Sequence, residues 1–447
     1  MSRLLVEGGM LIGLAEPADL RPATDLYAEG GTIRAVGEEA RTLAESPGEP
    51  VERLDARGRW VLPGFVQAHL HLCQTLLRNG PEELELLAWL ERHVWPGEAA
   101  HDAETMVIAA RLGVAECLAS GVTAVLDMGT VRHADTLFRV ASRAGIRYTG
   151  GNVLMDDPET TPVNLRAHAR EGLGETERLL SLWNGRDRGR LRVAVQPRFA
   201  VTCTEKLLRQ AAEFALDKDL WIHTHASETR GEIELVRKRT GLGNIAYLEA
   251  VGLLTPRTCL AHAVHLDEGD GDRLASRQST VVHCPSSNMK LSSGVCPVVD
   301  LKAAGVRVAL GSDAAACNDR LDPFREMRLA AFLPRTMTPP RRLSAFEALR
   351  MATWEGARAI GLPGEEGFVP GGRADLVLLD PEAGWSLPHD WTPEPYAAVV
   401  YSMGRESVFA TVVDGVVRHR ASDPTVMGLK PRPDEVREAV RKLKSRM

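Results

Sequence analysis

The 447-residue chain has no Cys-x-x-Cys pair, no long apolar run and no marked excess of either charge. Each absence removes a class of protein. Seven cysteines, an odd number, do not make a disulfide framework and fit a reducing compartment. Cys73, Cys117, Cys203, Cys259, Cys284, Cys296 and Cys317 read as small packing residues, with Cys317 placed to touch a ligand at a pocket mouth. The stretch from Met1 to Leu14 holds two short apolar patches broken by Glu7-Gly8-Gly9, too short for a signal-peptide core and far too short to span a bilayer. A formal net charge of -6 offers no patch excess for nucleic acid or a membrane surface, so neither is expected as a partner. The expected compartment is the cytoplasm.

What is present is a large globular composition, 44% hydrophobic and 26% charged, with enough chain for two or three domains. Eight apolar runs read as strands: Trp60 to Leu72, Val122 to Met128, Arg147 to Met155, Leu191 to Pro197, Leu220 to Ala226, Cys259 to Leu266, Thr280 to Cys284 and Val306 to Leu310. Helical spacing recurs between them, at Asp102 to Ala119, Leu165 to Trp183, Thr204 to Leu216 and Glu232 to Val251. Strand then helix, eight times over residues 61-365, predicts a parallel (β/α)8 barrel with its working residues at the C-terminal strand ends.

The flanks differ. Residues 1-60 carry Leu4 to Glu7, Met10 to Leu14 and Thr32 to Val36 as short strand-like runs; residues 366-420 carry Ala374 to Leu379, Ala397 to Tyr401, Ser407 to Val413 and Val416 to Arg418. Neither part can bury a core alone, so the two ends are expected to pair into one small β-sandwich domain. In the remaining segment, 421-447, Val436, Val440 and Leu443 recur at helical spacing, which predicts a surface helix rather than a basic interaction tail.

Three strand ends carry chemistry. Side chains alternate faces along a strand, so His69 and His71 present two imidazoles to one side. With His225 from strand five and Asp313 after strand eight they form a candidate set for one divalent metal that keeps a position open for water. Glu228, three residues past His225, can carry a proton from water to a ring nitrogen. His262 can polarise the reacting group, and Asp313 can hold the attacking water. Leu191 to Pro197 contains no lysine of the kind that bridges two metals on a fourth strand, so one metal is expected.

Val61-Leu62-Pro63-Gly64-Phe65-Val66 leading to His69-x-His71, then His225-x-x-Glu228, His262, the run His283 to Leu291, Gly311-Ser312-Asp313 and Gly371-Gly372-Arg373-Ala374-Asp375-Leu376 resemble the amidohydrolase superfamily over residues 1 to 420. The branch is the aminohydrolase group of methylthioadenosine/S-adenosylhomocysteine, 5'-deoxyadenosine and guanine deaminases and triazine hydrolases. The resemblance implies an aminohydrolase acting on C–N bonds in cyclic amidines, with His69, His71, His225 and Asp313 as ligands of zinc, or alternatively iron, and Glu228, His262 and Asp313 as proton handlers. It also leads us to expect a homo-oligomer and a small purine nucleoside or related amino-heterocycle as substrate.

Pocket residues refine this. Trp89 and Glu98, on a helical lid after strand one, match positions that contact the nucleoside in adenosine-type enzymes, the glutamate holding ribose hydroxyls. Arg198 and Gln74 instead resemble the guanine type, where they hydrogen-bond the base, whereas Asp313-Ala314-Ala315-Ala316-Cys317-Asn318 resembles the nucleoside and triazine enzymes. The 5'-deoxyadenosine-type sequences combine these features; guanine or 8-oxoguanine deamination and triazine chlorohydrolysis are the alternatives. Gly241 to Ala246 fits a dinucleotide fingerprint only on paper, since no strand precedes it, and reads as a turn joining helices. Asp267 to Asp272 lacks the spacing and terminal glutamate of a calcium loop. The His-x-Glu with Pro-Cys-x-x-Cys zinc-deaminase pattern is absent. A barrel reduced to binding or assembly would lack metal ligands, and none is missing here.

Overall fold

Parallel strands buried on both faces need helices over the whole outer surface, which is why valine, leucine and isoleucine dominate the interior runs of this chain. The structure, a computed structural model, describes residues 2–81, 83–362, 364, 366–383 and 394–447. Strands one to eight are Phe65–His71, Val122–Asp127, Arg147–Gly150, Leu191–Pro197, Trp221–Ala226, Thr258–His262, Thr280–His283 and Arg307–Leu310, and successive strands pair in parallel. After strand eight the chain kinks at Gly311-Ser312 and resumes as Asp313–Ala314, which pairs with Leu70 and His71 of strand one. That short pairing closes the ring as the predicted (β/α)8 barrel. Glycine is required at the kink: a Cβ on Gly311 would lie 2.6 Å from the His69 carbonyl oxygen and 2.9 Å from its amide nitrogen.

Period-two alternation divides the barrel's apolar residues into two clusters. Val66, Ala68, Ala124, Leu126, Ala194, Cys259, Val282 and Ala309 form one, joined by Ala357, Ala359 and Ile360 from the helix Trp354–Ala359 and the turn after it. Their neighbours Phe65, Val125, Val195, Leu260, Val281 and Val308 pack with the surrounding helices in the larger cluster. Side-chain caps start several of those helices: Asp102 and Thr105 cap each other at Ala103–Ala119, and Thr204 and Thr229 cap Glu205–Asp217 and Arg230–Thr240.

Several boundaries differ from the sequence reading for identifiable reasons. Trp60 to Leu72 is two strands: Trp60–Pro63 pairs antiparallel with Leu376–Leu379 in the terminal sheet, and the chain enters the barrel across Gly64, where a Cβ would meet Thr123 Cγ2 at 2.2 Å. Arg147 to Met155 breaks after Gly150 and resumes as Val153–Leu154 beside the end of strand four. The helical run Glu232 to Val251 divides into Arg230–Thr240 and Asn244–Ala250 because Gly241 ends the first helix at φ 76. Ala397 to Tyr401 is not a strand but part of a helical segment, Pro395–Ala397 and Ala398–Ser402; Tyr396, Val399, Val400 and Met403 turn one face into the core at three- and four-residue spacing.

Both chain ends build one eight-stranded sheet, ordered Val416–Arg420, Val408–Val413, Leu376–Leu379, Trp60–Pro63, Arg3–Ile12, Leu20–Glu29 and Thr32–Val36, with Glu52–Asp55 parallel to Arg3–Ile12. Leu4, Leu26, Ile33, Leu54, Leu376 and Val412, drawn from both ends, share one buried cluster. Within the terminal segment 366–420, residues 384–393 lie outside the described residues. A buried ion-pair group joins this sheet to the barrel: Arg147 of strand three donates to Asp375 Oδ2 (2.6 Å) and Asp414 Oδ1 (3.3 Å). The helix Pro433–Lys444 lies on the surface, with Val436, Ala439, Val440 and Leu443 inward and Lys442 and Arg446 paired to Glu104 and Asp102. Among the described residues no helix is long and apolar enough to cross a membrane.

Candidate functional site

The four predicted ligands meet at the C-terminal mouth of the barrel. One ligand atom from each of His69, His71, His225 and Asp313 lies within 4.8 Å of the others. Nε2 of His71 is 3.2 Å from Nε2 of His225, and Asp313 Oδ1 is 3.2 Å from His69 Nε2 and 3.4 Å from His71 Nε2. The outward nitrogens of His225 and His69 are committed elsewhere, while His71 Nδ1 is buried without a partner among the described residues. His225 Nδ1 donates to the Arg198 carbonyl oxygen (2.7 Å), and His69 Nδ1 is 2.7 Å from His223 Nε2. With their protons on the outward nitrogens, His69 and His225 would turn Nε2 lone pairs toward a carboxylate oxygen, the donor set a divalent cation neutralises. Burial pushes His69, His71 and His225 below the usual histidine range, keeping the imidazoles in the neutral form that ligates metal.

A second group, His71, Cys73 and Glu98, has donor atoms equally close together. Glu98, however, is spent on Arg198: its Oε2 accepts from Arg198 Nη1 at 2.7 Å and its Oε1 from Gln74 Nε2 at 2.7 Å. With the carboxylate charge offset by a guanidinium, this group offers a second cation little.

Glu228 and His262 sit beside the ligands. His262 Nε2 is 3.5 Å from Glu228 Oε2 and 3.9 Å from Asp313 Oδ2. Glu228 is 4% exposed, and burial pushes its carboxyl up to about 7, near where a group that both takes and gives protons works best. Ser227, His262 and Asp313, at the ends of strands five, six and eight, all adopt left-handed backbone (φ 54, 77 and 57). Such conformations cost non-glycine residues about 1 kcal/mol or more and cluster where side chains must be aimed.

A pocket opens over this group, lined by Leu86, Trp89, Leu90, Phe199 and Leu291 as apolar walls and by Gln74, Arg198, His71, His225, Glu228, His262 and Asp313 as polar ones. Trp89, Gln74 and Arg198 line this pocket. Glu98 lies behind them, 5% exposed. Cys317 is behind Asp313 rather than at the mouth: it is 1% exposed, with Sγ 3.2 Å from Asp313 Oδ2.

Four further residues were given no role in the sequence reading, although Ser287 and Asn288 lie in the run His283 to Leu291. His223 shares the face of His225, so the alternation that picked out His69 and His71 applies to it equally. Ser287, Asn288 and Ser293 follow strand seven, at the mouth where polar residues carry function, and bond to Asp313, His262 and Glu228 respectively.

Comparison with known proteins bears on this geometry. A sequence profile described as the amidohydrolase family matches residues 60–418. The 5'-deoxyadenosine deaminase of Methanothermobacter thermautotrophicus is 37% identical over 386 residues, 86% of this chain and 87% of that protein. The 5-methylthioadenosine/S-adenosylhomocysteine deaminase of Syntrophobacter fumaroxidans is 36% identical over 444 residues, 98% and 97% of the two chains. Among solved structures, an adenosine deaminase from Xanthomonas campestris with bound zinc superposes with a TM-score of 0.89 over 99% of both chains, at 29% identity.

Proposed function

The chain belongs to the amidohydrolase family, and from that premise we propose that it is a metal-dependent hydrolytic deaminase of adenosine derivatives, of the 5'-deoxyadenosine, methylthioadenosine and S-adenosylhomocysteine type, releasing ammonia and the inosine analogue. The observation that carries the proposal is the quartet His69, His71, His225 and Asp313 with Glu228 and His262 at its edge. His69, His71, His225 and Asp313 would hold one divalent ion, zinc by analogy with the zinc-bound structural relative. A metal there supplies Lewis acidity that brings the pKa of water to roughly 7 in well-known zinc sites.

The protein groups do the rest. The apolar walls, Trp89 and Phe199 among them, take the flat purine, while Arg198 and Gln74 meet its polar edge and Glu98 holds those two in place. Glu228 takes a proton from water and delivers it to N1 of the purine, for which its raised pKa suits it. The C6–O bond forms as N1 gains that proton. His262 Nε2 steadies the attacking oxygen, and Asp313 takes the remaining proton of the new C6 hydroxyl and passes it to the departing amine as C6=O forms and the C6–N6 bond breaks. Water adds and ammonia leaves, so atoms balance with no further reactant.

A second reading, deamination of guanine or 8-oxoguanine, draws on Arg198 and Gln74 meeting at the pocket wall. Assaying 5'-deoxyadenosine, methylthioadenosine, S-adenosylhomocysteine, guanine, 8-oxoguanine, pterins and chlorotriazines for ammonia or chloride release tests both. Preference for the adenosines supports the proposal. Guanine as the best substrate overturns it.

A further inference from the structure

One short stretch after strand seven reaches all three groups that handle protons. In Pro285–Lys290 and the turn to Gly294, Ser287 Oγ donates to Asp313 Oδ2 (2.6 Å), Asn288 Oδ1 accepts from His262 Nδ1 (2.8 Å), and Ser293 Oγ donates to Glu228 Oε1 (3.2 Å). For His262 and Glu228 the bond falls on the atom opposite the one they turn to each other; for Asp313 it falls on Oδ2, 3.9 Å from His262 Nε2, and leaves Oδ1 to the histidine nitrogens. Ser287 and Asn288 are fully buried and Ser293 is 4% exposed, so water cannot replace these bonds.

We infer that the segment 285–294 is a positioning element that decides which atom of Asp313, His262 and Glu228 faces the substrate, an inference that rests on the roles given to those three residues above. A carboxylate has two equivalent oxygens and a histidine two tautomers, so each reactive group alone has an interchangeable wrong state. A serine hydroxyl on one carboxylate oxygen removes the swap, and a carbonyl accepting from Nδ1–H fixes that nitrogen as donor and turns Nε2 to Glu228 and Asp313. The element is itself anchored. Ser286 donates through its amide (3.1 Å) and hydroxyl (2.6 Å) to Glu326, which also accepts from Asn318 Nδ2 (2.8 Å), and that same Asn318 nitrogen donates to the carbonyl oxygen of Ser312, the residue before Asp313 (2.6 Å). The turn closes on itself, since the Asn288 carbonyl oxygen accepts from the Ser293 amide at 2.8 Å. Thus the element that aims Asp313 is held by the same glutamate that steadies the turn carrying Asp313.

The test uses the metal-loaded full chain and whichever compound of the substrate panel turns over best, with variants Ser287→Ala, Asn288→Leu, Asn288→Asp and Ser293→Ala. Each removal is expected to lower kcat by roughly 10- to 100-fold, the usual effect of groups that orient ligands and reactive residues, with KM moving far less. Ser287→Ala should in addition loosen zinc by about tenfold in competition with a chelator. Asn288→Asp, which keeps the acceptor, should recover most of the kcat that Asn288→Leu loses. A merely structural role would lower the melting temperature without splitting kcat from KM and without rescue by the acceptor. Unchanged kcat in Ser287→Ala and Asn288→Leu, or an Asn288→Asp as slow as Asn288→Leu in protein that melts and holds zinc like the wild type, overturns the inference. If Ser287→Ala fails to fold, Ser293→Ala, which deletes one hydroxyl at the end of the turn, decides by the same kcat and KM criterion. Full activity in Glu228→Gln, or wild-type protein that binds no metal, would instead overturn the underlying assignment of roles.

Discussion

Substituting Glu98 exposes how the pocket floor is held. The Glu98 and Arg198 side chains are 2% and 4% exposed, their contact is 2.7 Å, and the second carboxylate oxygen holds Gln74 at 2.7 Å. Glu98→Leu removes the negative partner and strands a buried guanidinium, which costs about 3–5 kcal/mol in comparable broken pairs. Adding Arg198→Met removes the stranded charge as well. What remains is chiefly the unsatisfied Gln74 amide, worth about 1–3 kcal/mol. Unfolding entropy of roughly 2.1 cal/mol/K per residue converts these losses into melting-temperature falls of about 3–5 °C for the single variant and about 1–3 °C for the double. Scanning calorimetry of both at one fixed zinc concentration makes the comparison, since bound metal shifts apparent stability. A double variant less stable than the single, or a single variant that melts like the wild type, would refute the view of Glu98 as the counter-charge that makes a buried arginine tolerable.

Glu228→Gln should keep fold and metal and lose on the order of 10²-fold or more in turnover, because an amide cannot ferry the proton; steady-state kinetics near wild-type rate would make Glu228 structural. Elemental analysis of active protein should give one metal per chain, and His69→Ala should abolish retention; two metals per chain would contradict the quartet as the sole site. Gly311→Ala should lose bound metal even where the protein stays folded, since its Cβ would press on the His69 backbone at 2.6 Å; normal metal content would show that strands one and eight can part freely. Burial raises Asp127 from 3.8 to about 6, so the fold favours its protonated form, and the associated stability is present below about pH 4 and lost as pH rises through about 6, roughly 3 kcal/mol in all. Asp127→Asn, uncharged throughout, should therefore gain on the wild type in urea midpoint between those pH values; a constant difference would refute the shift.

The barrel and the convergence of His69, His71, His225 and Asp313 were readable because two periodicities coincide in the sequence: apolar runs at regular intervals, and His or Asp at their trailing ends. His69-x-His71 and His225-x-x-Glu228 declare themselves by spacing alone. Terminal-sheet strand Leu20–Glu29 did not, because Arg21, Pro22, Ala23 and Thr24 leave half of it unlike any alternating pattern; its buried residues are only Leu26 and Ala28 on one face and Tyr27 on the other. Ala397 to Tyr401 misled for the opposite reason, five residues being too few to tell a helical face from a strand. Glu98 was read as a substrate contact, whereas it lies behind the pocket as the partner of Arg198, which no local pattern could show because the two positions are a hundred residues apart. Ser287, Asn288 and Ser293 were invisible as functional groups because their bonds run to strands five, six and eight, and serine and asparagine after a strand ordinarily signal only a turn.

The antiparallel pairing of Trp60–Pro63 with Leu376–Leu379 has a bearing on biosynthesis. All four candidate metal ligands have been synthesised once Asp313 is added, yet the strand that leads into His69 and His71 gains its neighbour only when residues 376–379 emerge. Until then Trp60 to Pro63 presents an open apolar edge on that side, the kind of surface that recruits other chains. A product halted between residues 313 and 376 would carry the full ligand set on an unclosed sheet, so slow elongation over that interval should convert nascent enzyme into aggregate rather than into a shortened active form.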